Sequence, residues 1–197
     1  MAERVPHLYP SEPVAVQFMN TVWADREGLH DSLDTVDHLR DWLGLSGLPG
    51  SPQLERADVA SFRRLRDALR RVAAEVTGDD RRSAASPLTD LESAIAEINR
   101  AAAPSAPVLA STDHTMTLTW HTQASGPALT RSLIAVEAAG LLTGDPLQLG
   151  ACHGPGCVLY FAKDRPRREW CSAACGNRAR VARHYEKTRG RRSGRDA

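Results

Sequence analysis

The segments CHGPGC (residues 152–157) and CSAAC (residues 171–175) contain every cysteine of this 197-residue chain. Two close pairs of thiolates, thirteen residues apart, provide the four ligands that zinc takes in a tetrahedral structural site. Four thiolates leave no open coordination position, which argues against a catalytic metal. We therefore predict one structural zinc ion per chain, held by Cys152, Cys157, Cys171 and Cys175. The alternatives are His153 replacing one cysteine as a ligand, and a redox switch formed by the paired thiols.

The residues around these cysteines predict the order of the elements. Glycine and proline between the first pair allow a tight turn, and Val158–Phe161 is typical of a strand. The polar segment 162–168 is expected to return as the second strand of a hairpin. Ser172 then precedes a helix that carries Cys175. The turn that holds the first cysteine pair, residues 152–157, is called the knuckle below. The order of knuckle, hairpin and helix indicates a treble-clef-like zinc finger in residues 147–197.

Charge divides the chain into two parts. Residues 1–150 contain 13 basic and 20 acidic residues, a net charge of −7, whereas residues 151–197 contain 12 and 4, a net charge of +8. On a helical wheel, one face of the C-terminal helix is basic, as expected for contact with phosphates or a major groove. Its members, predicted to bind nucleic acid, are Arg180, Arg183, His184, Lys187 and Arg191. The alternatives are a protein or RNA partner, and a solvated face without a partner.

The segment from Trp170 to Arg178, WCSAACGNR, resembles the signature of the CGNR zinc-finger family. In that family a C-terminal finger follows an α/β domain called ABATE, and the segments 18–21 and 37–43 of this chain resemble that domain. The resemblance implies a transcription regulator whose finger binds DNA. Its N-terminal part, called the body below (residues 1–146), would sense a small molecule or a partner. Because two-fold symmetry is common among DNA-binding proteins, we also expect a homodimer.

Two residues of the signature are assigned a different role. The helical wheel turns Arg178 away from the basic face and toward the cysteines, together with Tyr185. We therefore predict that Arg178 supports the zinc ligands by hydrogen bonding to a cysteine sulfur or a nearby carbonyl, and that Asn177 does similar work or reaches a base. Gly176 falls toward the basic face, where the lack of a side chain would permit close approach.

The first 146 residues predict an α+β domain made mainly of helices. Amphipathic periodicity or a capping residue marks helices beginning near Pro13, Thr35, Val59, Leu88 and Leu129. Two short runs rich in β-branched residues, 107–111 and 115–120, predict a small antiparallel hairpin with one wet face. We accordingly divide the chain into residues 1–146, an ABATE-like sensor domain, and residues 147–197, the zinc finger.

Two charged clusters in the body have ordinary explanations. The arginines of the third helix, at positions 63, 64, 66, 70 and 71, are interpreted as the solvated side of a core helix rather than as a binding face. Acidic residues and histidines between Asp25 and His38 are interpreted as helix caps and a wet loop rather than as a metal or ligand site.

The sequence contains no phosphate-binding glycine-rich loop, HExxH or GxSxG motif. We expect a regulator and not an enzyme. No run of apolar residues is long enough to span a membrane, and the first residues lack the apolar core of a signal peptide. We expect a cytoplasmic protein. The other functions considered are a zinc finger that binds protein and no nucleic acid, and an enzyme that uses the loop at residues 25–38.

Overall fold

The computed structural model describes residues 9–48, 53–112, 115–144 and 148–193, and it describes their side chains except those of Thr112 and of residues 189–193. The helices in this part of the chain are α1 (Val14–Met19), α2 (Val36–Leu45), α3 (Arg56–Thr77), α4 (Leu91–Ala102), α5 (Gly126–Thr143) and α6 (Ala173–Ser193). The strands form three antiparallel pairs: β1 (Val22–Ala24) with β2 (Leu29–Asp31), β3 (Ser105–Thr112) with β4 (Thr115–Thr122), and β5 (Gln148–Ala151) with β6 (Tyr160–Lys163). The predicted α+β class is confirmed.

Local signals explain where the helices begin and end. The Thr35 hydroxyl accepts a hydrogen bond from the His38 amide at 3.1 Å and caps α2, as the sequence predicts. Glu55 and Asp58 form a reciprocal capping box at the start of α3. The same helix ends at Gly78, whose φ of +62° is a left-handed conformation that favours glycine.

The larger of two apolar clusters in the described residues joins the helices of the body to the hairpin that flanks the first cysteine pair. Phe18 packs against Trp42 and Phe62 at its centre, with ring centroids 5.3 and 6.1 Å apart. Leu149 and Tyr160, from β5 and β6, belong to the same buried cluster. The predicted domain boundary after residue 146 lies outside the described residues and stays a prediction, but the two predicted parts share one core.

Two short elements differ from expectation. A hairpin, β1–β2, occupies part of the segment predicted as a loop, with Trp23 paired to His30. In the finger, β6 pairs with β5, which precedes the cysteine knuckle, and not with the segment 164–170. The knuckle is therefore the connection of its own hairpin. None of the described helices is long and apolar enough to cross a membrane.

Candidate zinc centre and nucleic-acid interface

The four cysteines converge on one buried point. Their sulfur atoms all lie within 4.8 Å of one another, and the thiols are free of disulfides. The distances are 3.8 Å from Cys157 Sγ to Cys171 Sγ and 3.4 Å from Cys171 Sγ to Cys175 Sγ. Tetrahedral zinc with Zn–S bonds of about 2.3 Å requires sulfurs roughly 3.8 Å apart. The geometry and the donor set fit a single structural zinc ion.

Hydrogen bonds among the thiols shift their pKa values in opposite directions. Hydrogen bonds from Cys157 and Cys171 lower the pKa of Cys152 to about 2, so one thiolate is strongly favoured. Donation of its own hydrogen to Cys152 raises the pKa of Cys157 to about 12. Without a cation, the first thiolate in this buried cluster therefore opposes ionisation of a second thiol. Zinc supplies the positive charge that lets all four cysteines bind as thiolates.

Two glycines are required by close packing around the cysteines. A Cβ atom on Gly154 would lie 3.0 Å from the Cβ of Cys175, so the knuckle can approach the helix only without a side chain there. Gly176 is buried, and a Cβ atom on it would lie 3.1 Å from Cδ1 of Trp170. The prediction that Gly176 faces the basic surface is therefore wrong. This glycine allows α6 to pack on the indole of Trp170.

An arginine of the body holds the backbone of the knuckle. Arg81 Nη1 donates hydrogen bonds to the carbonyl oxygens of Cys152 at 2.6 Å and of Cys157 at 2.8 Å. Asp79 orients this guanidinium through two hydrogen bonds of 2.6 Å and accepts a third, of 2.9 Å, from the Tyr160 hydroxyl. Burial opposes ionisation of Asp79, but the hydrogen bonds and charge of Arg81 outweigh it and lower its pKa. The body thus fixes both ends of the first cysteine pair.

A second arginine connects the body and finger from inside the core. Arg70 is almost completely buried and donates hydrogen bonds to the carbonyl oxygens of Met19 at 3.0 Å, Ala84 at 3.0 Å and Val158 at 3.2 Å. Its burial lowers the pKa of the guanidinium, which remains a cation because arginine starts from a very high value. Its guanidinium carbon also lies 5.3 Å from the centroid of the Tyr160 ring.

Hydrogen bonds from the N-terminal segment complete the attachment. The Asn20 side chain accepts from the Tyr160 amide and donates to the Tyr160 carbonyl, both at 2.9 Å. Glu12 accepts from the Ala162 amide at 2.9 Å and forms a partly buried ion pair with Arg168. Arg168 in turn donates to the carbonyl of Cys171 at 3.0 Å. Contacts from the body therefore hold the backbone on both sides of the metal site.

Sequence reasoning missed these connecting side chains. The interpretation of the α3 arginines as a solvated side is wrong for Arg66 and Arg70, which are both buried. Arg66 forms a bidentate pair with Asp31, with N–O distances of 2.5 and 3.1 Å. A signal was present, since positions 66 and 70 share the stripe of Phe62, Leu69 and Ala73 at helical spacing. An arginine on an apolar stripe indicates a buried hydrogen-bonding role.

Asn177 and Arg178, the signature residues after Gly176, are both exposed, but their side chains have different partners. Arg178 Nη2 lies 3.0 Å from Cys175 Sγ, a distance at which it donates a hydrogen bond to the ligand sulfur. Asn177 is exposed, and its side-chain oxygen accepts a hydrogen bond from Arg180. Arg178 thus contacts the metal site, whereas Asn177 contacts the basic face and no cysteine.

Helix α6 leaves the body as an exposed basic segment. Cys175 and Ala179 anchor its first turns, and all described side chains from Arg183 to Thr188 are exposed. The exposed residues include four of the five predicted to bind nucleic acid, namely Arg180, Arg183, His184 and Lys187. The side chain of Arg191 lies outside the described residues. Tyr185, expected to face the zinc, is 70% exposed, because the helix has already passed beyond the body at this point.

Two basic residues beside the finger were not singled out from the sequence. Arg165 and Arg167 are exposed on the segment between β6 and α6, and both line a shallow depression that also includes Ser172 and Ala173 at the start of α6. They add positive charge to the end of the helix nearest the body. The sequence feature that could have identified them is the run KDRPRR (residues 163–168), in which four of six residues are basic.

The segment between Asp25 and His38 forms local contacts. Asp25 accepts a hydrogen bond from His30 at 2.8 Å, and Asp34 accepts one from His38 at 2.5 Å. His30 stacks on Trp23 with ring centroids 4.2 Å apart. Asp31 contacts Arg66, as described above. The side chains of Asp25, Glu27 and His30 also lie close enough together to hold a metal ion, so the interpretation of this segment as caps and a polar loop stays a prediction, with Asp31 as an exception.

Comparison with known families agrees with this architecture. Residues 12–145 match the ABATE family model, described as "Putative stress-induced transcription regulator", and residues 148–188 match the CGNR zinc finger. The chain belongs to the family in which an ABATE domain precedes a CGNR zinc finger. The predicted resemblance and the predicted zinc are confirmed, and both family descriptions are of regulators or zinc fingers and not of enzymes. Comparisons with curated proteins and with solved structures gave no match.

Proposed function

We propose that this protein is a transcription regulator that binds duplex DNA through the basic face of α6. One observation supports the proposal most directly: α6 is anchored at the zinc site, and then projects its exposed basic side chains beyond the body. Four residues carry the proposed contacts: Arg180, Arg183, His184 and Lys187. A straight helix of this kind fits the width of a major groove, and its positive charges release counterions from phosphates.

A salt titration of duplex binding tests this proposal on the full zinc-loaded chain. The probe is a short duplex of random sequence, because the phosphate contribution does not depend on sequence. The slope of log affinity against log salt should be near −4 if about four cations contact phosphates. The double variant Arg183→Ala/Lys187→Ala should weaken binding about 10-fold or more and reduce the slope by about 2.

The matched control is Arg100→Ala, which removes an exposed arginine of α4 far along the chain from the finger. It should leave both affinity and slope unchanged. Binding that does not depend on salt, or that Arg100→Ala weakens as much as the double variant, would refute the assignment. If no duplex binds at low salt while an acidic peptide does, the same surface belongs to a protein-interaction module.

The support role of Arg178 belongs to the same proposal. The Arg178→Ala variant should release zinc faster, since its guanidinium contacts a ligand sulfur, and should lose DNA affinity only as a consequence. Arg183→Ala should weaken DNA binding with zinc retention unchanged. Competition with a colorimetric chelator measures the first property, and duplex titration measures the second. The reverse pattern would show that the two arginines have been assigned to the wrong faces.

We further propose that the body responds to a small molecule bound in an open cavity of about 670 Å³ between body and finger. Its wall includes the C-terminal ends of α3 and α5, strand β5 and Trp170. The volume lies within the range of small-molecule sites. A bound molecule would contact Leu142 of the body and Trp170, which packs on α6. It would therefore couple the body to the finger. We also propose that the protein is cytoplasmic, because thiols stay reduced in that compartment.

Thermal-shift screening of small molecules tests the cavity. Any compound that stabilises the native chain should lose its effect in Val76→Trp, since Val76 lines the cavity and is half exposed, so that a larger side chain fills space without disturbing the core. An equivalent substitution at Ile95, an exposed residue of α4, provides the control. Stabilisation that survives Val76→Trp would place the compound elsewhere.

A further inference from the structure

The β3–β4 hairpin leaves the body with one apolar face uncovered. Directly paired residues lie on the same face of an antiparallel ribbon, and the register pairs Pro107 with Trp120, Leu109 with Leu118, and Ser111 with Met116. The exposed fractions are 72% for Leu109, 65% for Met116, 64% for Leu118 and 44% for Trp120. Within the described residues, no element packs on the outer part of this face.

The opposite face of the same hairpin has a different composition. It pairs Val108 with Thr119 and Ala110 with Thr117. The hydroxyl of Thr119 donates a hydrogen bond to the Val108 carbonyl at 3.1 Å. Apart from Val108, which is 44% exposed, its side chains are small or carry hydroxyls and are suited to water, so the two faces differ in polarity. Both faces of β4 are exposed, and the face of Leu109 and Leu118 is the more apolar of the two.

The composition of the two strands is typical of an interface centre. Strands 105–112 and 115–122 contain no lysine, arginine, aspartate or glutamate. Exposed edge strands of monomeric proteins usually carry such charges, because an uncharged apolar edge recruits other chains. Tryptophan and methionine are instead enriched where proteins meet. A charge-free apolar ribbon on an otherwise highly charged chain indicates a surface that is covered in the native protein.

From this we infer that the apolar face of the β3–β4 hairpin is a homodimer interface, packed against the same face of a second copy about a two-fold axis. The exposed parts of its four large side chains amount to roughly 500 Å², the upper range for a patch on a monomer. Two such faces together bury roughly 1,000 Å², the lower limit of a specific interface. A self-complementary apolar face needs no second type of partner to be covered.

The Leu109–Leu118 pair lies near the middle of the face and therefore near the two-fold axis. Both residues are far from the zinc site in sequence and contribute little to the core of one chain. Their replacement tests association without disturbing the metal or the body. The inference does not depend on DNA binding, since a dimer can be measured in the absence of nucleic acid.

Sedimentation velocity on the full zinc-loaded chain tests the inference. The wild type should be a dimer at micromolar concentration, and Leu118→Glu should raise the dissociation constant of the dimer at least about 100-fold. The matched control Thr119→Glu adds the same charge to the next residue, on the other face, and should change the constant less than about threefold. Zinc content and circular dichroism should be the same for all three proteins.

Mixing two monomeric variants tests the two-fold geometry directly. Leu118→Glu and Leu118→Lys should each be monomeric alone and should form a heterodimer when mixed, since opposite charges then meet near the axis. A mixture that stays monomeric would overturn this geometry. A wild type that is monomeric at micromolar concentration, or a dimer that Leu118→Glu and Thr119→Glu weaken equally, would overturn the inference as a whole.

Discussion

The hairpins β3–β4 and β5–β6 have the same antiparallel pairing but opposite surroundings. Strand β4 is exposed along nearly its whole length, whereas β6 is buried from Tyr160 to Ala162. The longer ribbon has eight residues in each strand, and the shorter has four. A two-stranded ribbon is only marginally stable alone. Strand pairing therefore cannot explain why the shorter hairpin, β5–β6, is the more firmly held of the two.

The difference lies in what binds the backbone groups and side chains of each ribbon. The body donates or accepts hydrogen bonds at Tyr160, Ala162, Cys152 and Cys157, and zinc ligands flank the knuckle. The β3–β4 ribbon is tied mainly at its base, where the Ser105 and Ser132 hydroxyls are 2.7 Å apart. Environment, more than local strand propensity, decides which hairpin is part of the core.

Removal of zinc should have the largest effect, and the response of β5–β6 should differ most clearly from that of β3–β4. Zinc contributes on the order of 10 kcal/mol to folding in small zinc modules. Because β5 and β6 share the core of α3 and α5, a chelator should lower the hydrogen-exchange protection of those helices as well as that of the finger. Amides of β3–β4 should change little. A body that keeps full protection without zinc would show that the shared core is not cooperative.

Truncation of one leucine in each hairpin should give the next largest difference. Leu149 of β5 is 5% exposed, and Leu149→Ala should destabilise the chain by about 2–4 kcal/mol. Leu118→Ala in β4 should cost less than about 0.5 kcal/mol in dilute, monomeric protein. Urea unfolding measures both free energies. Equal costs would mean that β3–β4 packs on its own chain in solution.

Arg81 should have a smaller and more specific effect, confined to the metal. Arg81→Ala removes the two hydrogen bonds to the carbonyls of Cys152 and Cys157, so zinc affinity should fall about 10-fold. Arg82→Ala, at the exposed neighbouring position, is the control and should bind zinc as the wild type does. Competition with a chromophoric chelator measures both. Unchanged affinity in Arg81→Ala would show that the knuckle is held by the metal alone.

The smallest expected effect is a pH dependence in the third hairpin, β1–β2. Burial opposes ionisation of Asp31, but hydrogen bonds and charge from Arg66 outweigh it and hold its pKa below the ordinary 3.8. The ionised form therefore stabilises the fold above pH 3.8, and this contribution is lost as pH falls through the lower folded pKa. The stability difference between wild type and Asp31→Asn should be constant near neutrality and shrink below about pH 4.

Urea unfolding of both proteins over that pH range measures the difference, and the shared zinc site cancels in the comparison. Asp34→Asn, in a more exposed pair with His38, is the matched control. A stability difference that does not shrink in acid would mean that Asp31 acts through packing and not through its charge.

Much of this architecture could be predicted because its signals are local. The cysteine spacing, the Thr35 cap, the end of α3 at Gly78 and the β3–β4 hairpin are each written in a few adjacent residues. The phase of α6 likewise placed four basic residues on an exposed surface and Arg178 beside Cys175. These features depend on periodicity and capping, which short segments determine.

The connecting arginines could not be predicted in the same way. Arg81 and Cys152 are 71 residues apart, and Arg70 and Val158 are 88 apart. Hydrogen bonds over such distances depend on how helices and strands are placed in space. The same holds for β6, which pairs backward across the knuckle because β5 is held in the core by Leu149. The strands β1 and β2 have three residues each, too few to give a clear alternating pattern.

The three carbonyls that Arg70 binds also impose an order on synthesis of the protein. A ribosome makes residues 19, 70 and 84 well before residue 158, so the growing chain has two of these acceptors while the third is still missing. Until β6 follows, one side of the Arg70 guanidinium must be solvated by water, and the interior of the body stays open there. The finger therefore supplies the last acceptor of Arg70, and residue 158 is made before Cys171 and Cys175 complete the set of zinc ligands.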